Sequence, residues 1–154
     1  MGMAELVGSW SKDSSTQVGA VIAHADNRVV SVGYNGPPRG VEDDPSIHRD
    51  RKLRRTIHAE KNAILFARGG STGATLYCTH HPCAQCAAMI VQAGIARVVI
   101  PPSQPEFMNR WASDIQEAAW ILNEAGVPLD KVEPEWRRLE ESVVGDVGIE
   151  PTTR

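Results

Sequence analysis

Apolar and polar positions along the chain follow two regimes that change over near Thr56. Before it, VGAVIAH (18–24) and RVVSVGY (28–34) are valine-rich runs separated by Ala-Asp-Asn, the pattern of two strands joined by a turn. They predict a β-hairpin, preceded by a short helix over about residues 4–12 that the polar Asp-Ser-Ser-Thr segment ends. Asn-Gly and Pro-Pro in NGPPRG (35–40) break regular structure and predict an ordered loop. EDDPSIHRDRKLRR then reads as a polar connection over the surface.

After Thr56 the apolar residues recur at helical spacing. TIHAEKNAILFARGG places Ile57, Ala59, Ala63, Ile64 and Ala67 largely on one broad face and closes on Gly-Gly, predicting a helix over about 58–68. A strand over 74–79, a helix from Pro82 through Gln92 and a strand over 96–101 follow. Helix and strand alternating in this way predict parallel crossover units within one sheet. Beyond the proline-spotted loop PPSQPEF, a helix over about 112–125 carries the stripe Ile115, Ala118, Ala119 and Leu122, with Gly126 as its terminator. VPLDKV offers an edge strand, PEWRRLEESV another short helix opened by its proline, and GIEPTTR a frayed end. Trp111 and Trp120 read as packing or subunit-contact residues.

A length of 154 residues suits one domain, 1–154, with a helical extension from about 112. The longest apolar runs fall far short of the roughly 18 residues a membrane span needs, so a soluble protein without membrane contact is expected. A net charge of −3 and the lack of a dense cationic block argue against stable binding to a nucleic acid backbone. The one basic cluster, HRDRKLRR (48–55), reads as a solvated segment entering a helix. Three cysteines and no hydrophobic leader point to a reducing, cytoplasmic setting, in which closely spaced thiols serve metal or redox chemistry more often than crosslinks.

Two of those cysteines lie in THHPCAQCAAMI (79–90). Proline favours the first position of a helix, so Pro82 predicts Cys83 and Cys86 in a first turn, on one face, where free amides favour thiolates. Two thiolates in register are half of a tetrahedral zinc site, although the spacing alone also suits a structural zinc or a redox pair. Cys78 reads as a small buried filler. Of the histidines, His24 and His48 stand beside no other reactive group, and His80 and His81 sit too close to the thiols for spacing to decide. His58 is followed two positions later by Glu60, which gives a metal ligand with a proton acceptor beside it. His58, Cys83 and Cys86 are therefore the candidate zinc ligands, with Glu60 as the catalytic proton carrier that does not bind the metal. HAE followed by PCAQC resembles the general HxE and PCxxC signature of zinc nucleobase deaminases. On that chemistry Glu60 takes a proton from zinc-activated water, passes it to N3 of a cytosine ring, and then protonates the departing amine.

HAEKNAI (58–64), THHPCAQCA (79–87) and GYNGPPRG (33–40) together resemble the deoxycytidylate deaminases, including the small viral forms, over roughly residues 5–132. The resemblance implies an α/β fold, a cytidine-deaminase-like three-layer α/β/α arrangement with a mixed sheet of about five strands. It implies hydrolysis of dCMP to dUMP and ammonia, supplying dUMP for dTTP synthesis, with one catalytic Zn2+ per chain. It also implies that Asn35 hydrogen-bonds the deoxyribose, with Gly36, Ala59, Thr79 and His81 as further substrate-binding residues. Arg110, in an Asn-Arg-Trp segment that similar viral enzymes carry, is the leading phosphate candidate, ahead of Arg39 and Arg28. Many relatives are hexamers activated by dCTP and inhibited by dTTP, with Mg2+ on the effector phosphates. The resemblance therefore implies a homo-oligomer, with Tyr34 and Arg39 as effector-binding candidates and the host cytoplasm as location if the chain is viral. A second, structural zinc does not fit, because there is no N-terminal cysteine and Asp43 and Asp44 occupy the long connection. Two other readings stay open. One is a deaminase of the same fold acting on tRNA adenosine, free cytidine or deoxycytidine, or guanine, and the other is a noncatalytic zinc-stabilised interaction protein.

Overall fold

The computed structural model describes residues 1–44, 46–103 and 105–133. The chain runs α1 (Gly2–Gly8), β1 (Gly19–Ala23), β2 (Val29–Tyr34), α2 (Arg49–Arg55), α3 (Ala59–Ala67) and β3 (Thr75–Cys78). It continues with α4 (Ala84–Gln92), β4 (Arg97–Ile100), α5 (Pro105–Arg110), α6 (Ala112–Glu124) and β5 (Leu129–Lys131). The helix expected from PEWRRLEESV and the frayed end lie outside the described residues.

The strands form one five-stranded sheet in the order β2-β1-β3-β4-β5. β1 is antiparallel to both of its neighbours, whereas β3, β4 and β5 are mutually parallel. The sheet is therefore mixed, as expected, and its two halves follow the two regimes of the sequence. Alternation along the strands sends Ala20, Ile22, Leu76, Cys78, Val98 and Ile100 to one face, where they pack on Ala59, Ala63, Ala87, Ile90, Ala118 and Leu122 of α3, α4 and α6. Val21 points the other way, onto Ala4 and Val7 of α1, with Val32 and Tyr77 beside it. The result is the three-layer α/β/α arrangement, with most of the core on the α3–α4–α6 side.

Small residues set how closely helix and sheet approach. A methyl group at Gly33 of β2 would overlap the Ala59 carbonyl and the Ala63 amide, so that glycine is what lets α3 lie directly on the strand. Gly19 does the same for α1, since a Cβ there would overlap the Ala4 carbonyl and the Gly8 amide.

Several elements differ from the sequence reading. α1 ends at Gly8 instead of reaching residue 12, because Gly8 meets the start of β1 and the chain must turn there. The supposed polar connection contains α2, whose N-cap is His48, its side chain accepting from the Asp50 amide. Lys52 of that helix pairs with Asp13 at 3.3 Å, which ties the charged turn to the body of the domain. Pro105 begins α5 where a loop was expected. On α6, Ile115, Ala118 and Leu122 are buried as the periodicity requires, but Ala119 turns outward.

Candidate active site

The loops leaving β2 and β3 lie side by side, because Gly19 at the start of β1 pairs with Tyr34 and its neighbour Ala20 with Cys78. The loop after β2 is fixed by a two-bond bridge: the Gly36 amide donates to the Ile57 carbonyl at 3.1 Å, and the Ile57 amide donates back at 2.8 Å. His58 follows as the N-cap of α3, with extended backbone (φ −68°, ψ 154°) and no capping bond from its side chain. Its imidazole is thus free of the helix and turns to the cysteines. Its Nδ1 lies 3.5 Å from Cys83 Sγ and 3.4 Å from Cys86 Sγ.

Cys83 does not occupy a first turn behind a helical Pro82. It is itself the N-cap of α4, and its Sγ accepts from the Cys86 amide at 3.4 Å. A sulfur in that position can act as helix cap and metal ligand together, which the first-turn expectation did not provide. The Cys83 thiol is drawn down to about 4, first by its hydrogen bond with Cys86 and, against burial, by His58. Cys86 is pushed well above the ordinary thiol range by Cys83 and by burial. His58 is raised by its bond to Cys83, opposed by burial.

Among the described residues, His58, Cys83 and Cys86 are the group whose donor atoms converge, all within 4.8 Å of one another. Bond lengths of about 2.3 Å to sulfur and about 2.0 Å to nitrogen around a tetrahedral ion imply sulfur–nitrogen edges of about 3.5 Å. The two observed edges, 3.5 and 3.4 Å, match that length. Cys78, fully buried and with its thiol pushed up by burial, stays in the core as expected. Glu60 lies in the first turn of α3 at 3% exposure, and burial raises its carboxyl above the ordinary range.

The remaining candidates divide by position. Thr79 leaves the end of β3 with its Oγ1 accepting from the Gly19 amide at 3.1 Å. His81 is buried at 7% exposure and its Nδ1 lies 2.9 Å from the Pro82 carbonyl, so Nδ1 donates and Nε2 remains the acceptor. Ala59 is wholly buried at the start of α3. Asn35 is buried at 6% exposure, and its amide is already engaged: Oδ1 accepts from the Val18 amide at 2.8 Å and Nδ2 donates to the Thr16 carbonyl at 2.9 Å. A sugar contact must use what that side chain has left, one lone pair and one amide hydrogen. Tyr34 lies edge-on to Trp10, and Arg39 lies over the Phe66 ring. Both line a groove of about 1270 Å³ that also holds Lys12 and Arg68 and reaches the substrate candidates Asn35 and Gly36. Arg110 is exposed at the end of α5. Arg28 sits in the hairpin turn at the far end of the strands, paired with Asp26, and the fold does not bring it to the site.

One contact gave no signal in the sequence. Lys61 Nζ donates to Gln85 Oε1 at 2.9 Å, joining the starts of α3 and α4, the two helices that carry the cluster. Lysine and glutamine on exposed helix turns look like ordinary solvated residues, and only the fold pairs them.

A mixed sheet that presents one histidine, two cysteines and a buried glutamate from two adjacent helix starts defines the zinc-dependent nucleobase deaminase class. Residues 1–101 match the family described as "Cytidine and deoxycytidylate deaminase zinc-binding region". The chain belongs to that family. It is 51% identical over 134 residues to an uncharacterized deaminase in the luxG 3′ region of Aliivibrio fischeri, covering 83% of this chain and 90% of that one. It is 35% identical over 150 residues to human deoxycytidylate deaminase, covering 90% and 80%. The crystal structure of the dCMP deaminase of cyanophage S-TIM5 in complex with dCMP and dUMP superposes with a TM-score of 0.70 at 28% identity, over 85% of this chain and 92% of that one.

Proposed function

We propose that this chain hydrolyses dCMP to dUMP and ammonia, with His58, Cys83 and Cys86 holding zinc and Glu60 carrying the proton. The observation that carries the reading is the placement of a buried carboxyl, Glu60, two residues after a histidine whose Nδ1 meets two thiols at 3.5 and 3.4 Å. Three protein ligands is the count of a catalytic zinc, since structural sites close with four. Bound there, zinc supplies a Lewis acid that makes water acidic enough to ionise near neutral pH.

The chain's own residues do the rest. Glu60 accepts one proton from water and delivers it to ring N3, then takes that water's second proton from the new C4 hydroxyl and gives it to the leaving amine as the C4 carbonyl forms. Its raised carboxyl suits that traffic, because a proton carrier works best with a pKa near the operating pH. Glu60 and Cys86 are buried, while His58 and Cys83 stay half-buried on the side from which a substrate could approach. The base enters over the cluster with its sugar toward Asn35 and Gly36, between the loops that follow β2 and β3, and Arg110 meets the phosphate.

The regulatory reading extends from the same resemblance. dCTP as activator and dTTP as inhibitor, with Mg2+ on their phosphates, would occupy the groove that holds Tyr34 and Arg39. Aromatic faces from Trp10, Tyr34 and Phe66, with cations from Lys12, Arg39 and Arg68, support a nucleotide there. Assembly as a hexamer belongs to this reading, as does a single domain over 1–154. Among the described residues no helix is long and apolar enough to cross a membrane.

Ammonia release from dCMP, CMP, deoxycytidine and a tRNA anticodon stem, each with and without dCTP and dTTP, tests the proposal. dCMP should be the preferred substrate. Turnover of deoxycytidine equal to or better than that of dCMP would reject the nucleotide assignment.

A further inference from the structure

The side chain of His80 belongs to neither the metal cluster nor the core. Its Nδ1 lies 3.1 Å from Thr79 Oγ1, and that oxygen already accepts a hydrogen bond from the Gly19 amide. A hydroxyl that accepts from Gly19 has its own proton to give to Nδ1, which fixes the ring's rotation and leaves the hydrogen on Nε2. The ring so fixed meets Phe107 edge-on, with centroids 5.4 Å apart and planes at 65°, a favoured aromatic geometry. Phe107 lies in α5, and Arg110 is three residues further on, so the two share one face of that turn. One chain of contacts thus runs from the start of β1 through Thr79 and His80 to the element that carries Arg110.

α5 needs such a support. It has six residues, none of them buried, and a helix that short has little stability of its own. Its C-terminal end is joined to α6 through Trp111, whose amide donates to the Phe107 carbonyl at 3.1 Å, and Phe107 on His80 is the contact that faces the metal-bearing loop. We propose that His80 is a positioning residue that seats α5 through Phe107, and so sets where Arg110 meets the phosphate of dCMP. This rests on the phosphate role given to Arg110 above. Burial also holds the His80 ring below the ordinary imidazole range, which suits a neutral packing surface better than a phosphate-binding cation.

The test is steady-state kinetics on dCMP and deoxycytidine for H80A, F107A, H80F, R110A and the double variant H80A/R110A, with zinc measured on each sample. H80A and F107A should each raise KM for dCMP about two- to tenfold, the worth of an aromatic pair, with kcat, zinc content and deoxycytidine kinetics unchanged. H80F keeps the ring contact but loses the bond from Thr79, and its KM for dCMP should fall between those of wild type and H80A. In the R110A background, H80A should add almost nothing. Equal losses on both substrates, an H80F as impaired as H80A, or additive effects in the double variant would overturn the inference. An R110A with unchanged KM for dCMP would remove the phosphate role and the inference with it. An R110A that raises KM beside a neutral H80A would spare the phosphate role and reject His80 alone.

Discussion

Gly33→Ala is the smallest change that should disable the site from outside it. The added methyl would overlap the Ala59 carbonyl and the Ala63 amide, both backbone, so neither can swing aside. Real Cβ contacts do not fall below 3.0 Å and ordinarily sit at 3.4–4 Å, so α3 as a whole must back away from β2. The retreat is on the order of 1 Å, and overpacking of this kind costs about 1–3 kcal/mol. At about 2–4 °C per kcal/mol for a chain of this size, the melting temperature should fall by roughly 2–12 °C. The catalytic effect should be larger, because α3 carries His58 at its N-cap and Glu60 in its first turn while Cys83 and Cys86 stay with α4. A misplacement of about 1 Å between reacting groups costs about 10²-fold in rate. The assay is kcat/KM for ammonia release from dCMP, with thermal unfolding and zinc content measured on the same preparation. A variant within threefold of wild-type activity and within about 1 °C of its melting temperature would refute the claim that Gly33 sets the helix–strand distance.

Three further outcomes are expected. Asn35→Ala leaves the Val18 amide and the Thr16 carbonyl without their partner, which should cost about 1–3 kcal/mol and speed proteolysis between residues 11 and 18; unchanged stability would show that the loop is held by other contacts. Chelation should abolish turnover, and Zn2+ should restore it where Mg2+ does not; full activity of the metal-free chain would remove the metal from the reaction. In the metal-free chain burial raises the Glu60 carboxyl above its ordinary value of 4.5, so the folded state holds that proton more tightly than the unfolded one. The resulting stability is complete below the unfolded value and declines as pH rises through the folded one. Glu60→Gln removes the decline, so its melting temperature should gain on wild type as pH increases, and a difference constant with pH would contradict the burial argument.

Much of this was legible because it depends on local period or local chemistry. The valine runs of β1 and β2 alternate, α3 and α4 repeat at helical spacing, and His58, Glu60, Cys83 and Cys86 announce themselves by residue type and interval. What escaped depends on contacts remote in sequence. Asn35 reads as a polar tip of a turn, yet its side chain closes on Val18 and Thr16, 17 and 19 residues away. α2 is almost entirely charged and has no apolar face to reveal it; a histidine N-cap and the Lys52–Asp13 pair hold it in place. α5 does carry a local signal, since Pro105 stands at a first helical position, where its missing amide hydrogen costs nothing. At Pro82 the same rule misled. Cys83 took the cap because a sulfur there can accept the Cys86 amide while still facing His58.

The central claim is that a three-ligand zinc site and a buried proton carrier act together in deamination. Turnover of dCMP by Glu60→Gln, with zinc quantified on the same sample, tests it most directly. The neutral, isosteric side chain should leave zinc at about one per chain and lower kcat by about 10²–10⁴-fold. Zinc retained together with wild-type turnover would contradict it.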